Sequence, residues 1–181
     1  MGWRGVKARQ STDQHLVAEV AYAMLQRAAA VEPAQVMAER RVFDVLRAAY
    51  FADPHRALSG ADGGGDQLKF GLPGVEELLT PVFLAASAEV VAYVVDRCSA
   101  ASRRGVRRLL GLPMEPDGRP AEEPDAVADD PAVPQLTGEQ WAQVRSIVAQ
   151  ALVRYAKMSP QRADLIAAAV VGDGITGVPP Q

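Results

Sequence analysis

Between Leu78 and Val95 the chain reads LLTPVFLAASAEVVAYVV, and Glu89 is the one charge in those eighteen positions. A basic tail follows, with Arg97, Arg103, Arg104, Arg107 and Arg108 ahead of Leu110. On a helix advancing about 100° per residue, Ala85, Glu89, Ala92, Asp96, Arg103 and Arg107 share one narrow strip. Phe83, Leu84, Val90, Val91, Val94, Val95, Cys98 and Leu109 spread over a broad arc on the other side. A helix of that kind needs neighbours on nearly every side, so the other segments have to be arranged to cover it.

The rest of the composition says what those neighbours are. Aromatic residues make up 6% of the chain, so the core has to be built from Ala, Val and Leu, side chains that let helices approach closely. Alanine favours helix, and no run of alternating β-branched residues with hairpin punctuation occurs. The expected fold class is therefore all-α: a small helical bundle around a central apolar helix, an acidic Pro-rich linker and a C-terminal helical hairpin.

Charge divides the chain in the same way. Residues 1–111 carry a net +2, residues 112–136 a net −6 and residues 137–181 a net +1. The acid is thus concentrated in LPMEPDGRPAEEPDAVADDPAVPQL, which also holds six of the 13 prolines and is read as a disordered spacer. The predicted units are an N-terminal bundle over 1–111, the linker over 112–136, and a hairpin with its tail over 137–181.

Within the first unit, Ser11-Thr12-Asp13-Gln14 has the pattern of a capping box and predicts a helix from there to about Val31. Leu16, Val17, Val20, Ala21, Met24, Leu25 and Ala28 form its apolar face. Pro33 is suited to open a second helix, whose apolar side is Val36, Val42, Phe43, Leu46, Ala49 and Tyr50, closing at Asp53-Pro54. The glycines between Gly60 and Gly74 predict a loop. The third helix begins either at Gly74-Val75-Glu76 with a kink at Pro81, or afresh with Thr80 as its N-cap, and ends at Gly111-Leu112-Pro113. Thr137-Gly138-Glu139-Gln140 is a second capping box, opening a helix striped with Trp141, Val144, Val148, Leu152 and Tyr155. Ser159-Pro160 caps the last helix, which carries Leu165, Ile166, Ala169 and Val170 and stops at Gly172. Two short helices cannot bury their own stripes, so this hairpin has to dock on the rest of the chain or on a partner.

Few residues suggest chemistry. GADGGGD lacks the strand, helix and glycine offsets of a phosphate-binding loop, and Asp62 and Asp66 lack the ligand spacing of a calcium loop. His15 and His55 have no second ligand at metal spacing, so neither a metal nor another cofactor is expected. A single cysteine, Cys98, excludes an internal disulfide and reads as a small buried hydrophobe. Glu89 is the one carboxylate in an apolar setting, and its wheel position marks a wet strip shared with Asp96 rather than an acid or base. In QRADLIAAAVV, only Gln161 and Arg162 could reach base edges, which argues against nucleic-acid readout.

Arg97, Arg103, Arg104, Arg107 and Arg108 remain as candidate contacts to an anionic surface, set against the plainer reading of cations at a helix C-terminus. The apolar run just reaches the length of a membrane span but contains Glu89 and Pro81. No secretory pattern opens the chain, and the expected location is the cytoplasm, with a peripheral membrane contact as the alternative. The Ala, Arg and Gly usage is similar to that of helical proteins from GC-rich bacteria, which implies no activity. The expected function is non-enzymatic: a helical interaction or adaptor module for a protein partner or for copies of itself. The runner-up is a membrane-associated module acting through 75–111.

Overall fold

The computed structural model describes residues 3–59, 78–97, 107, 112 and 136–172, with side chains from residue 13 onward. Seven helices occur among them and no strand: α1 (Trp3–Ala28), α2 (Pro33–Arg40), α3 (Phe43–Ala52), α4 (Pro54–Leu58), α5 (Leu79–Arg97), α6 (Gly138–Tyr155) and α7 (Pro160–Val171). The fold is all-α.

α5 is the axis, as its apolar circumference requires. It packs against α1, α2, α3, α4 and α6, while α7 packs on α6 and α1. The contacts α1–α5, α5–α6, α6–α7 and α7–α1 close into a ring of four helices, and α2, α3 and α4 add further cover to α5. The C-terminal hairpin therefore docks back onto α1 and α5. Two polar links fasten it: an Arg27 guanidinium N–H donates to the Val170 carbonyl at 3.1 Å, and Arg162 pairs with Glu32 at 2.8 Å.

Burial follows the helical periods. All seven apolar positions expected on α1 are buried, as are Val36, Phe43, Leu46 and Tyr50 from α2 and α3. Val144, Val148, Ala151 and Leu152 of α6 face Ala163, Ile166, Ala167 and Val170 of α7 in the same continuous core. Each fully buried Leu, Ile, Val or Phe contributes roughly 1.5–3 kcal/mol relative to an exposed one, so these rows carry the fold. Every buried side-chain N or O among the described residues has a hydrogen-bond partner.

The helix boundaries divide into two groups. Where the capping chemistry is local, the expectation holds. Thr137 and Gln140 form the reciprocal capping box, at 3.3 and 2.8 Å, and Ser159 caps α7 with Pro160 in its first turn. α7 ends at Gly172, whose φ of 63° and ψ of −170° suit glycine and would strain a side chain.

Where other elements take part, the expectation fails. α1 starts at Trp3 and passes through Ser11, because a serine within a continuing helix has no free amides to cap. It ends at Ala28, in tightened turns in which Ala29, Ala30 and Val31 each bond three residues back. The second expected helix is two, α2 and α3, parted at Arg41-Val42, with the Val42 amide bonding three residues back to Glu39. No glycine or proline marks that break. It leaves Glu39 in the last turn of α2, directed at α5, while α3 runs along the same helix. α4 is a further short helix that Asp53 caps through the Arg56 amide at 3.0 Å.

α5 begins at Leu79, so Thr80 is inside the helix and not its N-cap. Pro81 lies in the first turn, where no backbone donor is required of it. The alternative start at residues 74–76 lies outside the described residues, as do the glycine-rich loop, Cys98 and the interior of the acidic stretch. The two ends of that stretch, Leu112 and Leu136, are buried members of the core and not solvated spacer, because both are large apolar residues next to helix ends. Leu112 donates its amide to the carbonyl of helical Arg107 at 2.9 Å, a five-residue closure typical of a helix C-terminus.

Candidate functional surface

A carboxylate sits at the start of the central helix. Val36, Glu39, Phe43, Leu46 and Tyr50 follow one another at spacings of three and four residues, so Glu39 occupies a core position and is fully buried. Its Oε1 accepts from the Leu79 amide at 2.8 Å and from Gln35 Nε2 at 3.0 Å. Its Oε2 accepts from the Thr80 amide and the Thr80 hydroxyl, both at 2.6 Å. Glu39 thus caps α5 from another helix, and its charge lies at the positive end of the α5 dipole. Four donors converge on the carboxylate, which fixes the start of α5 to the end of α2. The sequence reading missed it, although an acidic residue inside an otherwise apolar 3-4-3-4 row was the available signal.

The candidate residues named from sequence separate in space. Glu89 and Asp96 are exposed on α5 together with Ala88, Ala92 and Val95, which is the wet strip expected of them. Ala85, placed on that strip by the wheel, is buried, since the first two turns of α5 are covered on all sides. Arg97 is exposed, and its guanidinium lies 5.7 Å from the centre of the Tyr93 ring. Arg107 reaches across to α1, where Nε donates to Glu19 Oε2 at 3.0 Å and Nη2 contacts Oε1. Arg103, Arg104 and Arg108 lie outside the described residues. His15 stands 3.5 Å from the same Glu19, and His55 Nδ1 lies 3.3 Å from the Ser59 hydroxyl. Among the described residues, no group of three His, Cys, Asp or Glu could hold a metal ion.

Among the described residues, one titratable group is clearly shifted. Burial raises the Tyr50 hydroxyl above the ordinary tyrosine value, with smaller contributions in the same direction from Tyr155 and Glu89. Tyr50 lies on α3, within electrostatic reach of Glu89 on α5 and of Tyr155 at the end of α6.

Among the described residues, a shallow groove runs along the outer side of the hairpin. Ala142, Arg145, Ala149, Val153 and Arg154 of α6 line it, with Asp164 of α7 opposite. Ser146 and Gln150, also on α6, bond to each other at 3.1 Å. Several large apolar side chains elsewhere also face water: Met37 (63% exposed), Val45 (51%), Val95 (49%) and Leu165 (62%). Leu165 was expected in the core of the last helix. Ala163, Ile166, Ala167 and Val170 take that face instead, which turns Leu165 outward.

α5 has the length and mean hydropathy of a membrane span, yet 61% of that window is buried inside the protein. Comparison with protein-family models, curated proteins and solved structures finds no match.

Proposed function

We propose that the protein is a non-enzymatic helical interaction module that presents outer helix faces to a protein partner or to copies of itself. The observation that carries this reading is the set of apolar side chains left in water on four different helices, beside a core that is closed without them. Met37, Val45, Val95 and Leu165 each leave about half or more of their surface in water, and an apolar side chain in water gains by being covered. A cytoplasmic setting accompanies this reading. The test is site-specific photo-crosslinking in native lysate, with the crosslinker placed at Met37, Val45, Val95, Val153 or Leu165 and at polar controls such as Asp44 and Glu139. Discrete adducts at apolar positions and none at the controls are expected; adducts at neither would sink the proposal.

The hydropathy of α5 supports a second reading, a membrane-associated module acting through 75–111. Insertion would require α5 to abandon the partners that bury it and Arg107 to leave Glu19. On the interaction reading, the full chain fails to float with anionic vesicles even at low salt. Flotation that disappears when Arg103, Arg104, Arg107 and Arg108 are changed to Gln would favour the membrane instead.

A further inference from the structure

Resting on that interaction reading, we infer that the α6–α7 groove is a docking site for an acidic amphipathic helix of a partner protein. Its floor is Ala142, Ser146, Ala149 and Val153, which recur at four, three and four residues on one face of α6 and extend about 16 Å along it, with Gln150 beside them toward Arg154. Small side chains there let a second helix approach closely, at interaxial distances of about 8–10 Å. Arg145 and Arg154 flank the floor on opposite sides of the α6 circumference, roughly 13 Å apart along the axis. Both are exposed, and among the described residues neither makes an ion pair; Arg154 only lies 5.2 Å from the Tyr155 ring centre.

Of the other cations with described side chains near the hairpin, Lys157 in the α6–α7 turn is exposed and makes no ion pair among the described residues, while three are committed. Arg107 is bound to Glu19, Arg162 to Glu32 and Arg27 to the Val170 carbonyl. The unpaired cations of the hairpin therefore lie at the groove and in the turn beside it, where a stripe of small, mostly apolar side chains lies between Arg145 and Arg154. An amphipathic helix with an apolar face and carboxylates along its flanks matches that order of charge and apolar surface. Asp164 on the opposite wall opposes a polyanion, so a nucleic-acid backbone or an anionic bilayer fits less well. Asp164 instead accepts a single basic residue from the partner.

The test uses the full chain and a fluorescein-labelled synthetic helical peptide with Leu on one face and Glu on both flanks. Two controls accompany it: a twin with Lys in place of Glu, and an acidic twin with Ser in place of Leu. Fluorescence anisotropy at low and high salt should show saturable binding of the acidic Leu peptide only, weakened by salt. Combining Arg145→Gln with Arg154→Gln should raise its Kd about tenfold, the sum of two surface ion pairs, whereas Lys at both positions retains most of the affinity. Val153→Asp should abolish binding. All of these positions are solvent-facing, so circular dichroism should be unchanged. The inference is overturned if the Lys twin binds equally, if the Ser twin binds equally and so reports diffuse attraction, if the variants have no effect, or if no peptide binds. Crosslinks captured at Met37, Val45 or Val95 while every peptide fails would reject the groove and leave the interaction reading intact.

Discussion

Glu39 and Glu89 serve the same helix from opposite situations. Glu89 lies in the middle of α5, surrounded in sequence by the most apolar residues of the chain, and its side chain is in water. Glu39 comes from the last turn of α2, between Met37-Ala38 and Arg40-Arg41, and is fully buried. The difference shows that flanking hydropathy does not decide where a carboxylate goes. A charge enters a core only where donors replace its water, and the unpaired amides at a helix N-terminus are such donors. Leu79 and Thr80 supply two amides and a hydroxyl, while the middle of α5 offers none because its amides are spent within the helix. At the end of α2 the carboxylate also faces the unfavourable pole of its own helix, which the α5 N-terminus offsets.

That contrast gives the largest predicted effect. Glu39→Ala strands three buried donors and opens a cavity, and should cost about 3–5 kcal/mol in urea unfolding. Glu89→Gln, in the same assay, should stay within about 0.5 kcal/mol. Similar losses for the two variants would break the comparison.

The two halves of α5 carry the contrast into packing. Ala86 is fully buried and Ala88 exposed two residues later. Ala86→Leu should cost about 1–3 kcal/mol through overpacking, and Ala88→Leu close to nothing. Smaller again is the Arg107–Glu19 pair, whose side chains keep 17% and 26% exposure. A double-mutant cycle should give it about 1 kcal/mol or less.

The least effect at neutral pH belongs to Tyr50→Phe. With its folded pKa raised above 10.0, Tyr50 adds stability that is complete below the unfolded value and is lost as pH rises through the folded one. Melting temperatures from pH 8 upward should fall less steeply above about pH 10 in the Phe variant than in the parent. Identical alkaline slopes would contradict the upward shift of Tyr50.

Much of the architecture was legible where a signal is local. Thr137 with Gln140 and Ser159 with Pro160 state their helix starts within four residues, and the α1 stripe from Leu16 to Ala28 states its buried face. What was illegible depends on partners distant in sequence. Thr80 resembles an N-cap until Glu39 is placed beside it. The break at Arg41-Val42 carries no breaker residue, and Ser11 resembles a cap only if Trp3–Gln10 is ignored. The candidate surface was the least legible part. The arginines after α5 stood out as a run in sequence, yet Arg107 is paired with Glu19 in the fold, whereas Arg145 and Arg154 are separated in sequence and line the same groove.

The Glu39 anchor is tested most directly by native-state amide hydrogen exchange at Leu79 and Thr80. First-turn amides ordinarily lack partners within their helix and exchange readily. If the Glu39 carboxylate holds them inside the core, both should exchange as slowly as the amides of Leu84 and Val90, and both should lose that protection in Glu39→Gln before those two do. Exchange of Leu79 and Thr80 at the rates of an open chain in the parent protein would contradict the anchor.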